Sequence, residues 1–582
     1  MTPGVGQRRR ERERGAVLIV AVVFTALVAV GSIVAVSGTL EAVRSSASQL
    51  RDKRAFFGAE GSAALCKGEL RNRLLVALPA QMKQLASIAT ITNSIYTPND
   101  PARLLVDYAY NAATSLGGRF IRDSATQAHL RLEYAAPGAS NRYDCTLTLI
   151  SRKEPAVINV TPPVYAPADP DHDDPTYLFR YAYTITGAVT DGSTTRQVAL
   201  DGAVDITLQT DNFARYALLT NQQTSGGGEV WFTNRTSFSG PVHTNGKFNF
   251  ANNPSGRFTD VVTSVNSQAR FYNNGRPRDD DADRNGDLDV PVFENGFSRS
   301  AENIPMPTGT SANRQVEKAL GMADGALGDG AFPSMSTGVH LGVSGDAMTG
   351  GIYVNTGTSG GTNPASVTLA GGSTATYSIT IGGATTTVTA NPSARTTTLR
   401  APNGTTTTYA GLPNGMLFVN GRVGSLSGTL QRDTQVTIAA TNDVVITNNV
   451  VYENYTGGAT PSAEGTSNLL GLMSWSGNVR IGTSAPNDVS VHATVMTPTG
   501  EFRVDSYNSG SARGTATVLG GVIENTYGPF GTFGSGTTGY GRNFVFDTRM
   551  RRGMWPPFFP KISRVATTVT GLNDRPNWQQ PD

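Results

Sequence analysis

The first feature of the chain is a run of residues without charge, from Gly15 to Leu40. As a helix it would span roughly 39 Å at about 1.5 Å per residue, which is enough to cross the hydrocarbon core of a bilayer. An arginine-rich stretch precedes it, and basic residues mark the cytoplasmic end of a membrane helix. The pattern predicts a membrane-spanning helix with a cytoplasmic N-terminus and the rest of the chain outside.

Helix-compatible sequence continues beyond this run, because no proline follows Gly15 until Pro79. Apolar side chains recur every seven positions here, at Val43, Leu50, Phe57 and Ala64. A stripe with this period can face a partner helix or a sheet. We therefore expect one long N-terminal helix over residues 16–90, with a membrane half and an amphipathic half.

Residues 91–235 carry strand patterns. Apolar and polar residues alternate along 129–136 and 143–152, which is the period of a half-buried strand. Two longer alternating runs, 177–189 and 195–210, are separated by a short polar turn and predict a long hairpin. This part is expected to form an α/β head that contains a sheet.

After Tyr216 the chain changes to short apolar runs interrupted by Gly, Asn and Thr. The later runs are 416–428, 434–454, 469–483, 489–504 and 515–525. Their spacing of about 20 residues favours a parallel β-helix or solenoid over residues 236–545, and a two-sheet roll is the alternative. Residues 355–412, rich in Thr, Gly and Ala, predict an exposed β-hairpin insertion or a flexible segment. The fold class is therefore α+β and predominantly β.

Charge limits the nucleic-acid-binding classes. The 582 residues include 47 Lys+Arg and 45 Asp+Glu, so the formal net charge is +2. The first 15 residues hold five arginines and two glutamates, which leaves 42 basic against 43 acidic residues, or −1, for the remainder. A globally basic nucleic-acid-binding surface is excluded, and any such contact must come from a local patch.

The N-terminus resembles a type IV prepilin. A basic leader, a glycine, an apolar helix and an amphipathic continuation occur in that order, and RGAVLIVAVV with AFFGAEGSA is similar to the PilX-type minor pilins. The resemblance implies that a prepilin peptidase removes the leader, residues 1–15, by cutting between Gly15 and Ala16. It also implies a head sheet on the outer half of the helix, contacts with other pilins through that helix, and an inner-membrane location before assembly into a pilus.

One position departs from the usual pilin pattern. Most pilins carry a glutamate at the fifth mature position, where this chain has Val20. A carboxylate there can neutralise the buried terminal amine of the neighbouring subunit, and an unpaired buried charge is costly. A subunit without it is better suited to the tip of the filament. A plain membrane anchor is the alternative to the whole pilin interpretation.

A second resemblance covers nearly all of the chain. The run GPVHTNGKF, the solenoid-like repeats and the closing FDTRMRRGMWPPFFP are similar to the large domain of a family of envelope proteins whose function is mostly unassigned. One characterised group of relatives, the ComZ-type large minor pilins, combines a pilin stalk with an inserted β-solenoid and is implicated in DNA binding at the pilus tip. The resemblance alone implies DNA capture during natural transformation. The closing segment is taken as residues 546–582.

The two cysteines are expected on different elements. Cys66 lies on the long helix and Cys145 on a predicted strand. Outside the cytoplasm, a disulfide between them would join the sheet to the helix. Two separate buried thiols are the alternative. A disulfide-dense scaffold and a four-cysteine zinc site are excluded.

The clearest chemical motif is an acidic loop with oxygen side chains at alternate positions: Asp281, Asp283, Asn285, Asp287 and Asp289. Gly286 stands at the sixth position, as in an EF-hand calcium loop. Val292 occupies the twelfth position, where that loop has a bidentate acid, and Glu294 can replace it. A structural Ca²⁺ site is predicted, with a solvated acidic turn as the alternative. A second cluster, Asp169–Asp174, lacks this spacing and is interpreted as a linker.

A basic segment near the C-terminus is the candidate DNA contact. Its cations are Arg542, Arg549, Arg551, Arg552, Lys561 and Arg564. Aromatic residues interleave them: Phe544, Phe546, Trp555, Phe558 and Phe559. Cations beside rings suit sequence-tolerant DNA binding. The alternative, which we favour for the aromatic residues, is that the segment is buried where the β region meets the head.

The chain contains no nucleophile elbow, Walker loop, HExxH motif or paired Cys/His ligands, and His243 is expected to be a hydrogen-bonded structural residue. The sequence therefore predicts a minor pilin at the pilus tip that presents a large β domain for surface binding, most specifically of DNA, and no enzyme. A pilus-associated adhesin or structural envelope protein is the main alternative, and a polysaccharide-active β-helix enzyme ranks third.

Overall fold

The computed structural model describes residues 6–84, 101–110, 119–135, 142–151, 156–158, 176–191, 194–225, 228–232, 236–251, 256–273, 276–279, 291–328, 330–357, 363–532, 536–572 and 578–579. The helices are α1 (Gly6–Asn72), α2 (Leu78–Met82), α3 (Ala102–Tyr108) and α4 (Gly309–Leu320). A π-helical turn, Arg73–Ala77, joins α1 to α2. Single 3₁₀ turns occur at Phe213–Arg215 and Thr548–Arg552.

The strands before the large β region are β1 (Ile121–Arg122), β2 (Gln127–Ala135), β3 (Arg142–Ser151), β4 (Ala156–Ile158), β5 (Thr176–Asp191) and β6 (Thr194–Asn212). Those between β6 and α4 are β7 (Leu218–Gln222), β8 (Thr224–Ser225), β9 (Gly228–Glu229), β10 (Val242–Thr244), β11 (Asn249–Ala251), β12 (Arg257–Phe258), β13 (Val262–Ser264), β14 (Arg270–Asn273), β15 (Arg276–Asp279), β16 (Val292–Phe293) and β17 (Phe297–Ser298).

The strands after α4 are β18 (Gly338–Ser344), β19 (Ala347–Asn355), β20 (Ala365–Ala370), β21 (Ala375–Ile381), β22 (Ala384–Asn391), β23 (Thr396–Arg400), β24 (Thr406–Ala410), β25 (Met416–Asn420), β26 (Val423–Leu430), β27 (Gln435–Ala440) and β28 (Val444–Tyr452). The last group is β29 (Leu469–Ser474), β30 (Val479–Ile481), β31 (Ser490–His492), β32 (Thr494–Thr497), β33 (Phe502–Val504), β34 (Ala512–Leu519), β35 (Val522–Thr526), β36 (Gly531–Thr532), β37 (Thr538–Val545), β38 (Lys561–Thr570) and β39 (Trp578–Gln579).

The structure confirms one long N-terminal helix and a large, predominantly β region. Helix α1 is continuous for 67 residues, or roughly 100 Å at about 1.5 Å per residue. Its apolar first half is exposed along the whole described length from Val17 to Leu40, and it is long and apolar enough to cross a membrane. Only the second half packs against other parts of the chain.

The packed face of α1 differs from the predicted one. Small residues at helical spacing are fully buried here, at Ala55, Ala59, Ala63 and Cys66. The seven-residue stripe of Val43, Leu50, Phe57 and Ala64 lies on the exposed side of the helix. The sheet therefore does not cover that stripe, because the helix turns its small residues inward to let the strands approach closely.

The head is an antiparallel sheet with the strand order β1-β2-β3-β5-β6-β38. The long predicted hairpin is β5 and β6, paired from Tyr177 with Leu208 to Asp191 with Thr194. The last strand of the path, β38, pairs with the far end of β6, although about 350 residues separate them. The large β region is therefore an insertion between two neighbouring strands of the head sheet.

Helix α1 contacts the head sheet at a point of close approach. Cys66 on α1 and Cys145 on β3 form the expected disulfide, with their Cα atoms 6.2 Å apart. Gly187 on β5 is the register partner of Cys145. A Cβ atom at Gly187 would lie 2.3 Å from the carbonyl oxygen of Ala59, so only glycine allows this helix–sheet distance.

Two parallel ladders run through the large β region, which is a large mixed sheet. The first has the order β17-β13-β10-β7-β35-β32-β29-β27-β25-β19. The second joins β20, β26 and β28 to β30, β31, β33, β34 and β37. The first strand of the region, β7, thus lies in the middle of its ladder beside β35. The chain therefore enters and leaves the large region at neighbouring strands.

These pairings place the boundaries of the head and of the closing segment at residues other than those predicted. Strand β7 belongs to the large region, so the head sheet ends at Asn212 and not at residue 235. Strand β38 lies inside the predicted closing segment but returns to the head sheet. Sequence patterns could not place either boundary, because both depend on pairing between distant strands.

The Thr-rich insertion is an ordered antiparallel sheet of β20 to β24. Along β21 every second residue is buried, including Tyr377 and Ile379, while the hydroxyl side chains between them face outward. Thr376, Thr389, Thr398 and Thr408 form one row of register partners across four strands. The expected exposed β insertion is present, with five strands in place of one hairpin.

Gly187→Val should destabilise the contact between α1 and the head sheet by about 1–3 kcal/mol, because the added atoms meet the backbone of Ala59 and Ala63. Gly61→Ala is the control, since its Cβ has nothing within 4 Å and alanine favours a helix. Unfolding of the full-length protein in detergent measures both. Equal stability of the two variants would contradict the packing described.

Candidate functional site

Arg549, from the predicted DNA-contacting set, is the most buried of those cations, with 1% of its surface exposed. Its Nη2 lies 2.6 Å from Oδ2 of Asp547, which is also buried. Nη1 donates to the carbonyl oxygen of Asn468 at 2.8 Å, and the guanidinium lies over the ring of Tyr452. The assignment of Arg549 to DNA is therefore wrong: it is the centre of an internal ion pair.

Arg564 is buried at the junction between the head and the large region. It pairs with Asp211, which is fully buried on β6, and its Nη2 donates to the hydroxyl of Tyr216 at 2.6 Å. Arg215 adds a second cation, with Nη1 2.9 Å from Asp211. A bulge in β38 between Ile562 and Val565 holds Arg564 opposite Asp211. The assignment of Arg564 to DNA is also wrong.

The other four cations differ in exposure. Arg542 lies over the rings of Tyr527 and Phe530, with its Cζ 4.6 and 4.9 Å from their centroids, and donates to the carbonyl of Gly528. Arg551 pairs with Asp260, and Arg552 pairs with Glu464; their side chains are 48% and 57% exposed. Lys561 is exposed at the start of β38. Arg551, Arg552 and Lys561 are therefore the accessible members.

The aromatic residues of this segment close the core. Phe544, Phe546 and Phe559 are buried, and Trp555 and Phe558 are partly buried against the same cluster. The interpretation favoured for them from the sequence, packing where the β region meets the head, agrees with this burial. They offer no row of exposed rings on which bases could stack.

Asparagine side chains connect the entry and exit strands. Asn221 lies on β7, directly after the buried residues of that strand. Its Nδ2 donates to Oδ1 of Asn525 on β35 at 3.0 Å. Nδ2 of Asn245 donates to Oδ1 of Asn221 at 3.2 Å and to the carbonyl oxygen of Ile304 at 2.7 Å. The three amides form a hydrogen-bonded stack across adjacent parallel strands. No local pattern in the sequence predicts this stack, because its members lie on strands that are distant along the chain.

His243 of the GPVHTNGKF run is part of the same region. Its Nδ1 lies 2.8 Å from Oγ1 of Thr263 and its Nε2 lies 3.0 Å from Oδ1 of Asn245. Burial lowers the pKa of His243 to about 4, so the ring is neutral at pH 7. Both ring nitrogens form hydrogen bonds within the protein, as expected for a structural residue, and His243 lies within strand β10.

Glu524 is a buried acid on β35 in the first ladder, and no local sequence pattern predicted its burial. Burial raises the pKa of Glu524 to about 8, although the backbone N–H groups of Phe502 and Gly528 donate to its Oε2 at 2.7 and 3.1 Å. The side chain is therefore largely protonated at pH 7. The protonation of Glu524 therefore depends on how β35 is packed within the large region.

The predicted calcium loop, Asp281 to Asp289, lies outside the described residues, as does the Asp169–Asp174 cluster. Glu294, the expected additional ligand, is described and forms an ion pair with Arg257. Within the described part of the chain, no group of three or more His, Cys, Asp or Glu side chains could hold a metal ion. The Ca²⁺ site stays a prediction.

The expected leader site falls within α1. Gly15 and Ala16 are helical, and their side chains lie outside the described ones. Val20, at the position where most pilins have glutamate, is 67% exposed on the same helix. The leader site is therefore continuous with the apolar helix.

Comparison with known proteins gives limited similarity. A family model described as a domain of unknown function (DUF4900) matches residues 176–266, which include β5, β6 and the first strands of the large region. No curated protein matches. The crystal structure of the competence-associated pilin ComZ from Thermus thermophilus is similar at 12% identity and a TM-score of 0.25, covering 85% of this chain and 98% of that one.

Arg549→Ala should lower the free energy of unfolding by about 3–5 kcal/mol, because it leaves the Asp547 carboxylate buried without its cation. Arg552→Ala is the matched control: its partner Glu464 is exposed, so the loss should stay within about 1 kcal/mol. Chemical unfolding of the full-length protein measures the difference. If both variants lose the same small amount, Arg549 is not an internal ion pair.

Glu524→Gln should become more stable relative to the wild type as pH rises from 5 to 8. The raised pKa means that the folded protein binds more protons than the unfolded chain in this window, so wild-type stability falls with pH. Glutamine stays neutral and can accept the same two hydrogen bonds. Melting temperatures at both pH values test this, with exposed Glu302→Gln as the control. A constant difference between Glu524→Gln and the wild type would refute the raised pKa.

Proposed function

We propose that the chain is a type IV pilin-type subunit of the minor class that presents its large β region outside the membrane for surface binding. The observation that carries the proposal is the division of α1 into an exposed apolar half and a half that packs on the head sheet through Ala55 to Cys66. The apolar helix fits a pilin. It would hold the subunit in the inner membrane, with a cytoplasmic N-terminus, until a filament takes it up.

Contacts with other pilins are proposed for the exposed stripe of α1. Val43, Leu50 and Phe57 are 51–66% exposed outside the apolar membrane run. Since the head sheet covers a different face, this stripe is available to neighbouring helices. The PilX-type identity and the tip position belong to the same proposal, and Val20 supports the latter, because it leaves no carboxylate for a preceding subunit's amine.

The parallel ladders support a solenoid for the large region. Each strand of the first ladder pairs in parallel with the next, and a second ladder follows the same order along the chain. We propose that the two ladders are faces of a solenoid and that each successive coil contributes one strand to each face. A non-enzymatic role is part of the proposal, because the sequence contains none of the catalytic motifs sought. Ca²⁺ binding by residues 281–289 is proposed from the spacing of their oxygen side chains.

DNA capture is the most specific form of the proposal. It is supported by Arg551, Arg552 and Lys561, which are the accessible cations of the C-terminal segment. Because two of the six predicted cations are buried, DNA binding here would involve few phosphates and would depend on salt less steeply than if all six cations contacted DNA.

An adhesin is the second candidate, and the face of β20 to β24 favours it. Hydroxyl side chains of four strands share this face, at about 4.8 Å between strands and about 7 Å along them. Neighbouring hydroxyls hydrogen-bond across strands, as Thr380 with Thr385 at 2.8 Å and Thr398 with Thr408 at 3.1 Å. An ordered hydroxyl face, in which Arg400 is the one cation among these register partners, suits a neutral surface better than DNA.

The pilin proposal predicts that the mature protein begins at Ala16. Gly15→Leu should accumulate with its leader attached, because a bulky residue at the cleavage site blocks the peptidase. N-terminal sequencing of protein from the membrane and from sheared pili measures this, with Gly31→Leu, which has open space around it, as the control. Protein that still starts at Met1 in assembled pili would rule out the pilin interpretation.

Two double variants separate DNA capture from adhesion. Arg551→Ala with Arg552→Ala should weaken duplex binding evenly across sequences and reduce the slope of log K against log salt by about 2, at about 0.9 per phosphate contact. Thr387→Lys with Thr398→Lys should leave DNA binding in place and abolish attachment to a neutral surface if the hydroxyl face is the binding site.

Transformation frequency, attachment and piliation of cells carrying each variant complete the comparison. If the full-length wild type binds no duplex DNA at low salt, the DNA form of the proposal fails. If the threonine variant attaches normally, the adhesin form fails.

A further inference from the structure

A cavity of about 380 Å³ lies where α4 meets the segment that leads back into the head sheet. Arg314, Gln315 and Lys318 of α4 line one side, and residues 558–561 and Ser563 line the other. Its volume falls within the range of small-molecule sites, about 300–1,000 Å³. The cavity shares Lys561 with the cations discussed above, but the rest of its lining is separate from them.

Three cations converge on this cavity. Arg314 and Lys318 are four residues apart on α4 and so project from one face of the helix. Lys561 approaches from the start of β38. Asp324 is shared by the two helix cations, with an ion pair to Lys318 and 3.6 Å between its Oδ2 and Nη1 of Arg314. The described lining residues include no carboxylate, so an anion is the electrostatically matched ligand.

The opposite wall is aromatic and held in place. Phe558, Phe559 and Pro560 supply apolar surface. Gln315 is 3% exposed; its Nε2 donates to the carbonyl oxygen of Phe558 at 2.9 Å, and its Oε1 accepts from Nε1 of Trp475 at 2.8 Å. These bonds fix the wall to the core of the large region before any ligand arrives.

Phe558 carries backbone strain. Its φ is +54°, a left-handed conformation that is strained for a bulky residue, and strained residues of this kind cluster at ligand sites. Glycine would adopt this φ without strain. The turn itself therefore does not require a phenylalanine at this position. The ring that the strain positions lines the cavity.

We propose that this cavity binds a small organic anion: a phosphate or carboxylate group attached to a ring whose face packs against Phe558. Arg314 and Lys561 contact the anionic group from two sides, since both side chains are exposed whereas that of Lys318 is only 9% exposed. The aromatic wall selects ringed ligands over simple ions. A bound ligand would contact both α4 and β38, and so would join the large region to the head.

Calorimetric titration of the full-length protein in detergent tests the site with adenosine monophosphate, glucuronate and inorganic phosphate. The proposal expects at least one ringed anion to bind tenfold or more tightly than inorganic phosphate, and the two ringed probes distinguish a nucleotide source from an acidic sugar. Arg314→Ala with Lys561→Ala should weaken that binding at least tenfold. Arg432→Ala, an exposed cation outside the cavity, should not.

Phe558→Gly provides a second variant that is expected to fold, because glycine tolerates the positive φ. It should reduce binding of the ringed anion to the level of inorganic phosphate. Three results would overturn the proposal: no binding of any probe at millimolar concentration, binding of phosphate as tight as that of both ringed anions, or unchanged binding by the Arg314/Lys561 variant.

Discussion

The pairing of β6 with β38 is the constraint on which the rest of the structure depends. These strands are neighbours in the head sheet, so everything between Asn212 and Lys561 must leave the sheet and return to the same place. The large region meets this requirement by putting its first strand, β7, beside one of its last, β35. Polar contacts reinforce the junction: the buried Asp211–Arg564 ion pair on the head side and the partly buried stack of Asn221, Asn245 and Asn525 on the other.

Elements with a local signal were predictable from the sequence. The uncharged run specified the exposed part of α1, and alternation specified the β5–β6 hairpin. The packed face of α1 was not predicted, because alanines give a weak hydrophobic signal and their role depends on close approach to Gly187. The insertion was not predicted either: no local pattern pairs residues 218–222 with 522–526.

The candidate site, too, could be predicted from local sequence patterns only in part. Arginines spaced along a C-terminal segment look alike in sequence, yet Arg549 is buried against Asp547 while Arg552, three residues later, is 57% exposed. A two-residue bulge decides the direction of Arg564, and bulges leave little trace in hydrophobic periodicity. The cavity beside α4 could not be predicted from the sequence, because its two sides are separated by about 240 residues along the chain. Among the described residues, the structure leaves an apolar helix, a hydroxyl face and several cations exposed, and the proposed function rests on these features.

Hydrogen–deuterium exchange on full-length Asp211→Asn protein, in detergent, tests the central claim that the junction holds the large region to the head. The substitution keeps the shape of the side chain but removes the buried carboxylate that Arg564 and Arg215 share, and it leaves the buried Arg564 with only the exposed Glu302 at 3.9 Å. The account predicts faster exchange in β6, β38, β7 and β35 together, with β20 to β24 unchanged. Faster exchange confined to the peptide that carries the substitution would contradict it.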